Sequence, residues 1–178
     1  MKSITAVAVI GLLFFAGRLC NSSGDANQPT SVSSPSAPGK SFAKDYIKPQ
    51  YARFRLTKSF TKEEARKTAL GFTGKMLDQS RDAAAAEYSG GAGTAALMVC
   101  AYSSPSVPAA LIDELERQIK SDKGMTFVRG VPDTTGKRVE ATDSQGKGVI
   151  GWSNGNWFFM VIGGNLSDAT TLANSLGF

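Results

Sequence analysis

The period of apolar and polar positions changes several times along the chain, and each change marks an element. Residues 4–15 form an unbroken apolar run, whereas residues 21–41 (NSSGDANQPTSVSSPSAPGKS) hold no apolar side chain larger than Val32. At 51–56, Ala52, Phe54 and Leu56 alternate with Arg53 and Arg55, the period of two that a half-buried strand shows. Thr61-Lys-Glu-Glu64 reads as a capping box. Behind it Ala65, Ala69, Phe72 and Met76 recur at helical spacing, with Leu70, Thr73 and Leu77 widening the stripe, which predicts a helix to about Ser80. Gly71 and Gly74 each weaken that helix by about 1 kcal/mol, and close packing of another element would explain them. Residues 81–88 either extend the helix through their alanines or add a short turn.

Ser89-Gly-Gly-Ala-Gly93 is a glycine-rich connector leading into an apolar strand at 95–102. A phosphate loop follows a strand and opens a helix, and this segment has the opposite order. Pro105 and Pro108 bracket the next helix start, with Ser106 as cap. Leu111, Leu115 and Ile119 mark its inner stripe, Asp113–Arg117 and Glu116–Lys120 make outer i,i+4 pairs, and Gly124 closes it. Strands follow at 125–129, 138–142, 148–152 and 157–162, with tight turns at Gln145-Gly146 and Asn154-Gly155. A last helix spans 168–176 behind Ser167, with Leu172 and Leu176 inward. Reading Asn154-Gly155 as the two central residues of a type I′ loop pairs Ser153 with Asn156 and Trp152 with Trp157. Ile150, Phe159 and Val161 then share the Trp face, and Val149, Phe158, Met160 and Ile162 share the other. Two apolar faces place this hairpin in the sheet interior. The expected architecture is α+β: one domain at 42–178, a largely antiparallel sheet with helices packed on one face.

Composition narrows the chemistry. The chain has 178 residues, two cysteines and no histidine. Ser-His-Asp and Cys-His catalysis, histidine-ligated metals and a histidine switch are therefore excluded, and two cysteines make no disulfide framework. The 12-residue run at 4–15 behind Lys2 fits a signal-peptide core and is shorter than the roughly 20 residues of a membrane span. Cys20 follows it and precedes the Ser/Pro-rich stretch. This layout resembles that of bacterial lipoprotein precursors, in which the cysteine is lipidated and becomes the mature N-terminus. That family favours Leu three places before the cysteine and a small residue directly before it, where this chain has Gly17 and Leu19. Cleavage after Gly24 or Ala26 is the competing outcome. The expected organisation is a signal peptide at 1–19, a disordered tether at 20–41 and the globular domain.

Charge is unevenly spread: residues 42–81 carry 10 Lys+Arg against 4 Asp+Glu, and residues 82–178 carry 7 against 10. The basic surplus therefore belongs to the first strand and helix, where a solvated face or a membrane- or wall-facing patch would use it. Asp113, Glu114 and Glu116 sit beside cations on one helix, Ser103, Ser104 and Ser106 have no Lys at motif spacing, and Cys100 lies among apolar neighbours. No cofactor or metal is expected. Trp152 and Trp157, with Asn154 and Asn156 at the hairpin tip, are the candidate ligand contacts, either as an exposed platform or as the apolar end of the core. The expected function is an exported, membrane-tethered, non-catalytic binding or accessory module of the cell envelope. Its expected partners are the membrane through the lipid anchor and an envelope protein or anionic polymer, with no nucleic acid. The alternatives are a small secreted hydrolase using carboxylates and an inhibitor or immunity-type protein.

Overall fold

The computed structural model describes residues 40–91, 93–133 and 136–177. The expected signal peptide, Cys20 and almost all of the tether lie outside the described residues. A 3-10 turn (Ala43–Tyr46) leads into β1 (Gln50–Tyr51) and β2 (Phe54–Thr61). The expected strand at 51–56 is thus a tight hairpin, with Tyr51 paired to Phe54. Its turn places Ala52 at φ 47°. Alanine adopts that left-handed conformation at a cost of roughly 1–2 kcal/mol and gives no turn signal in the sequence.

Thr61 caps α1 (Lys62–Thr68) as a capping box requires. The Glu64 N–H donates to the Thr61 hydroxyl at 3.3 Å, and the Thr61 N–H donates to the Glu64 carboxylate at 2.8 Å. The helix does not run on to Ser80: it breaks at Ala69-Leu70 and restarts as α2 (Gly71–Gln79). Gly71 adopts φ 54° at the restart, a conformation that favours glycine. Gly74 is not explained by close packing, since an added Cβ would come no nearer than 3.4 Å to the Ala69 carbonyl oxygen.

Residues 81–88 extend no helix. They belong to β3 (Asp82–Gly90), which pairs with β4 (Gly93–Ala101) through a hairpin at Gly91. The strand's alanines belong to two cores, Ala84 and Ala86 to one and Ala83 and Ala85 to the other. Burial on both sides of a sheet overrides alanine's preference for helix. After α3 (Ser106–Ser121) come β5 (Met125–Asp133), β6 (Gly136–Asp143), β7 (Gly148–Asn154), β8 (Trp157–Gly163) and α4 (Leu166–Asn174). Pro105, not Ser106, occupies the cap of α3, and Asn165, not Ser167, caps α4 by accepting the Asp168 N–H at 2.8 Å.

All neighbouring strands run antiparallel, in the order β1-β2-β3-β4-β8-β7-β6-β5. The expectation of helices on a single face is corrected. α1, α2 and α3 pack on one face through Ala65, Phe72, Met76, Leu111, Leu115 and Ile119. On the other, the 3-10 turn and α4 contribute Tyr46, Ala169, Leu172 and Leu176. α4 sits close because its bed is glycine: Gly148 pairs with Gly163. A Cβ on Gly148 would lie 2.4 Å from Leu166 Cα, and one on Gly163 would lie 2.4 Å from Ala169 N.

The hairpin β7–β8 is interior, between β6 and β4. Its loop is Gly155-Asn156, so Asn154 pairs with Trp157 and Trp152 with Phe159; the expected Ser153–Asn156 and Trp152–Trp157 pairs are not formed. Gly155, at φ 55°, holds the first loop position, where a II′ turn requires glycine and the expected I′ loop would have put Asn154. The register moves by two residues, so every side chain keeps its face. Trp152, Trp157, Ile150, Phe159 and Val161 share one core, and Phe158, Met160 and Ile162 the other.

Candidate functional site

Trp152 and Trp157 are 3% and 6% exposed. Trp152 stacks on Phe159 with ring centroids 5.0 Å apart, and Tyr46 meets Trp157 edge-on at 5.0 Å. Asn154 is buried with them. Asn156 is half-buried, and its carbonyl accepts the Tyr102 N–H at 2.8 Å. These four residues come together at one end of the core and form no exposed aromatic platform.

Most of the residues weighed for catalysis are engaged as well. Lys75 holds Glu114 at 2.5 Å, and Lys137 holds Asp113 at 2.7 Å. Glu116 pairs with Lys120 as expected and also with Lys137; Asp113 thus finds Lys137 in place of Arg117. Cys100 is fully buried, and desolvation pushes its thiol up to about 12, the reverse of an activated nucleophile. Ser104 and Ser106 bond one another at 2.8 Å. Among the described residues no group of three or more Cys, Asp or Glu is placed to hold a metal ion.

The glycine connector closes the β3–β4 hairpin, with Gly90 opposite Gly93. Beside it Arg53 donates to the buried Asp168 carboxylate at 2.5 Å, and Asn165 also donates to that carboxylate at 3.3 Å. A Cβ on Gly93 would fall 2.3 Å from Asp168 Oδ2. The glycine therefore makes room for a carboxylate, and an anionic phosphate would meet that carboxylate first.

A cleft of about 600 Å³ opens at the β2 end of the sheet, a size usual for ligand sites. Its apolar wall comes from Phe42, Ile47 and Leu56, and Lys44, Lys62 and Arg81 stand at its margin with Glu63, Glu64 and Asp82. Two of the three carboxylates already accept backbone N–H groups: Asp82 from Ala43 at 2.7 Å and Glu64 from Thr61. Phe42, 56% exposed, lies beneath the Lys44 ammonium. β2 borders the cleft and is an edge strand over most of its length. β1 pairs only with Phe54 and Arg55, and Pro49 accepts the Leu56 N–H at 2.9 Å. From Thr57 to Phe60, β3 is the one strand beside β2 among the described residues.

Sequence patterning located the basic surplus of 42–81 but not the cleft, because the wall residue Phe42 precedes the first periodic segment. The signal that could have found it is the clustering of Lys44, Lys48, Arg53, Arg55, Lys58 and Lys62 on elements that fold to one sheet edge. No protein family, curated protein or solved structure matches this chain.

Proposed function

We propose that this chain is an exported, membrane-tethered, non-catalytic binding module of the cell envelope, anchored through Cys20, with the cleft beside β2 as its ligand site. The observation that carries the reading is a coincidence of position. The cleft and the cations Lys44, Arg55, Lys58 and Lys62 belong to one end of the sheet, and the first described residue, Lys40, lies over the ring of Tyr46 in the 3-10 turn that leads into it. A tether entering there holds the cation-rich end toward the surface that anchors it, and an anionic surface or partner is attracted to it over about a Debye length, roughly 8 Å at physiological ionic strength. The apolar wall then supplies the contact area that charge alone does not.

The test is fractionation of cells expressing the full chain. The wild type is expected with the membranes, with a mature mass beginning at a lipid-modified Cys20. Cys20→Ala is expected in the soluble extracytoplasmic fraction. Retention of Cys20→Ala on membranes, or a mature mass beginning after Gly24 or Ala26, would remove the anchor from the proposal.

A further inference from the structure

We infer that the ligand taken at this cleft is an extended, acidic polypeptide segment that adds as a further strand to β2. The inference rests on the binding-module reading above and specifies its ligand class. The free stretch of β2 is bounded on both sides. Upstream, β1 and the Pro49 carbonyl occupy the edge through Leu56; downstream, the Glu64 carboxylate takes the Thr61 N–H. Between them Thr57, Lys58, Ser59 and Phe60 have β3 on one side only among the described residues. Alternate residues of such an edge direct N–H and C=O groups outward, which is the hydrogen-bonding template an extended peptide uses.

Strand geometry then sets what the side chains of the added segment meet. Ser59 and Thr61 pair with Ala86 and Ala84, so they point to the side of the cleft walled by Ile47 and Leu56. Lys58 and Phe60 pair with Glu87 and Ala85 and point to the other side of the sheet edge, where Phe60 also lines the cleft and the Lys58 ammonium lies 4.5 Å over its ring. An incoming segment with apolar residues on one side and carboxylates on the other satisfies both.

Charge selects among occupants. Arg55 and Lys58 lie on β2 itself. At the cleft Lys44, Lys62 and Arg81 stand with Glu63, Glu64 and Asp82, of which Glu64 and Asp82 are taken by backbone N–H groups and Lys62 by the Ser80 carbonyl, so the unbalanced charge is that of the strand and Lys44. A second copy of this chain pairing edge to edge would bring its own Lys58 against this one, an arrangement edge strands use to block self-pairing. An acidic segment meets opposite charge at the same positions.

The experiment titrates the full chain with a blocked eight-residue synthetic peptide alternating Glu and Val, and reads amide hydrogen exchange along β2. Exchange at the outward-directed amides of Thr57–Phe60, those not bonded to β3, is expected to slow on addition of peptide. A Lys/Val peptide of the same length, and the Glu/Val peptide N-methylated at alternate amides, are each expected to bind at least tenfold more weakly. Lys44→Glu with Lys58→Glu is expected to reduce affinity about tenfold while the melting temperature holds. The inference is overturned if millimolar Glu/Val peptide leaves these amides unchanged, if the N-methylated peptide binds equally well, or if inorganic polyphosphate, which has no peptide backbone, displaces the peptide at equal charge. It is also overturned if the outward-directed amides of Thr57–Phe60, those not bonded to β3, are protected before any peptide is added, whether by self-association or by the chain's own N-terminal segment. None of these readouts depends on Cys20, so failure of the anchor and failure of the strand-addition mode are separable.

Discussion

At the scale of single residues, the aromatic end of the core decides whether the hairpin is structural. Tyr46, Trp152, Trp157 and Phe159 interlock, with Tyr46 edge-on to Phe159 at 5.1 Å and Trp157 6.4 Å from the same ring. Truncating a buried Trp removes its contacts and leaves a cavity that the surrounding sheet cannot close, at a cost of roughly 3–5 kcal/mol. That is a large part of the 5–15 kcal/mol typical of a whole domain. Trp157→Ala is therefore expected to lower the thermal midpoint by about 8 °C or more, since each kcal/mol moves a domain of this size by several degrees. Circular dichroism melting of the variant checks this, and a shift under about 2 °C would contradict the core role. The Trp face was legible because parity survives a register shift of two. The partner was not, because Asn-Gly and Gly-Asn are both acceptable loop dipeptides and the flanking residues are apolar on either choice.

At the scale of elements, β5 and β6 are joined by a buried charge on the face opposite α3, where Glu140 stands beside Ile150. Glu140 is 2% exposed; it accepts from Arg129 at 2.9 and 3.0 Å and from Arg138 at 2.9 Å. Burial raises the Glu140 pKa, but the hydrogen bonds and charges of Arg129 and Arg138 outweigh it and hold the carboxyl below its ordinary 4.5. A depressed folded-state pKa means that the unfolded chain binds more protons. The stabilisation is present above about pH 4.5 and is lost as pH falls through the folded value. Glu116, lowered by Lys120 and Lys137, adds in the same direction. Glu140→Gln is expected to lose on the order of 2 kcal/mol at pH 7, less than the 3–5 of a fully buried pair because Arg129 is half exposed. Its midpoint is also expected to fall less than the wild type's between pH 6 and pH 3.5. Urea unfolding across that range measures both effects, and equal acid sensitivity in the two proteins would show that Glu140 is not the titrating group. The elements themselves were largely readable where one face dominated: Thr61 and Glu64 announce α1, and Leu111, Leu115 and Ile119 announce α3. They were unreadable where tertiary burial reversed a local preference, as in the alanines of β3, or where a turn carried no turn residue, as at Ala52. The Arg53–Asp168 pair spans 115 positions, a separation that periodicity cannot bridge.

At the scale of the molecule, an open sheet covered on both faces keeps two edges, and they are guarded differently. β5 bears Pro132, which donates no backbone hydrogen bond, and an irregularity between Phe127 and Arg129 that twists the edge strand. β2 has no proline; it has the break in register between Leu56 and Lys58 and the cations Arg55 and Lys58. Lysine at an edge opposes self-pairing because burying two ammonium groups against one another costs more than the added backbone hydrogen bonds return. Lys58 is therefore the residue that keeps β2 available to a partner and closed to a second copy. Removing its charge while keeping strand propensity isolates that role. Lys58→Val is expected to fold with an unchanged circular dichroism spectrum and to self-associate at tens of micromolar, with sedimentation velocity showing a dimer or larger species where the wild type stays a monomer. Lys58→Arg, which keeps the charge, is expected to remain monomeric. A monomeric Lys58→Val at the same concentrations would mean that the bulge alone protects the edge, and the cations of β2 would then be explained by partner binding only.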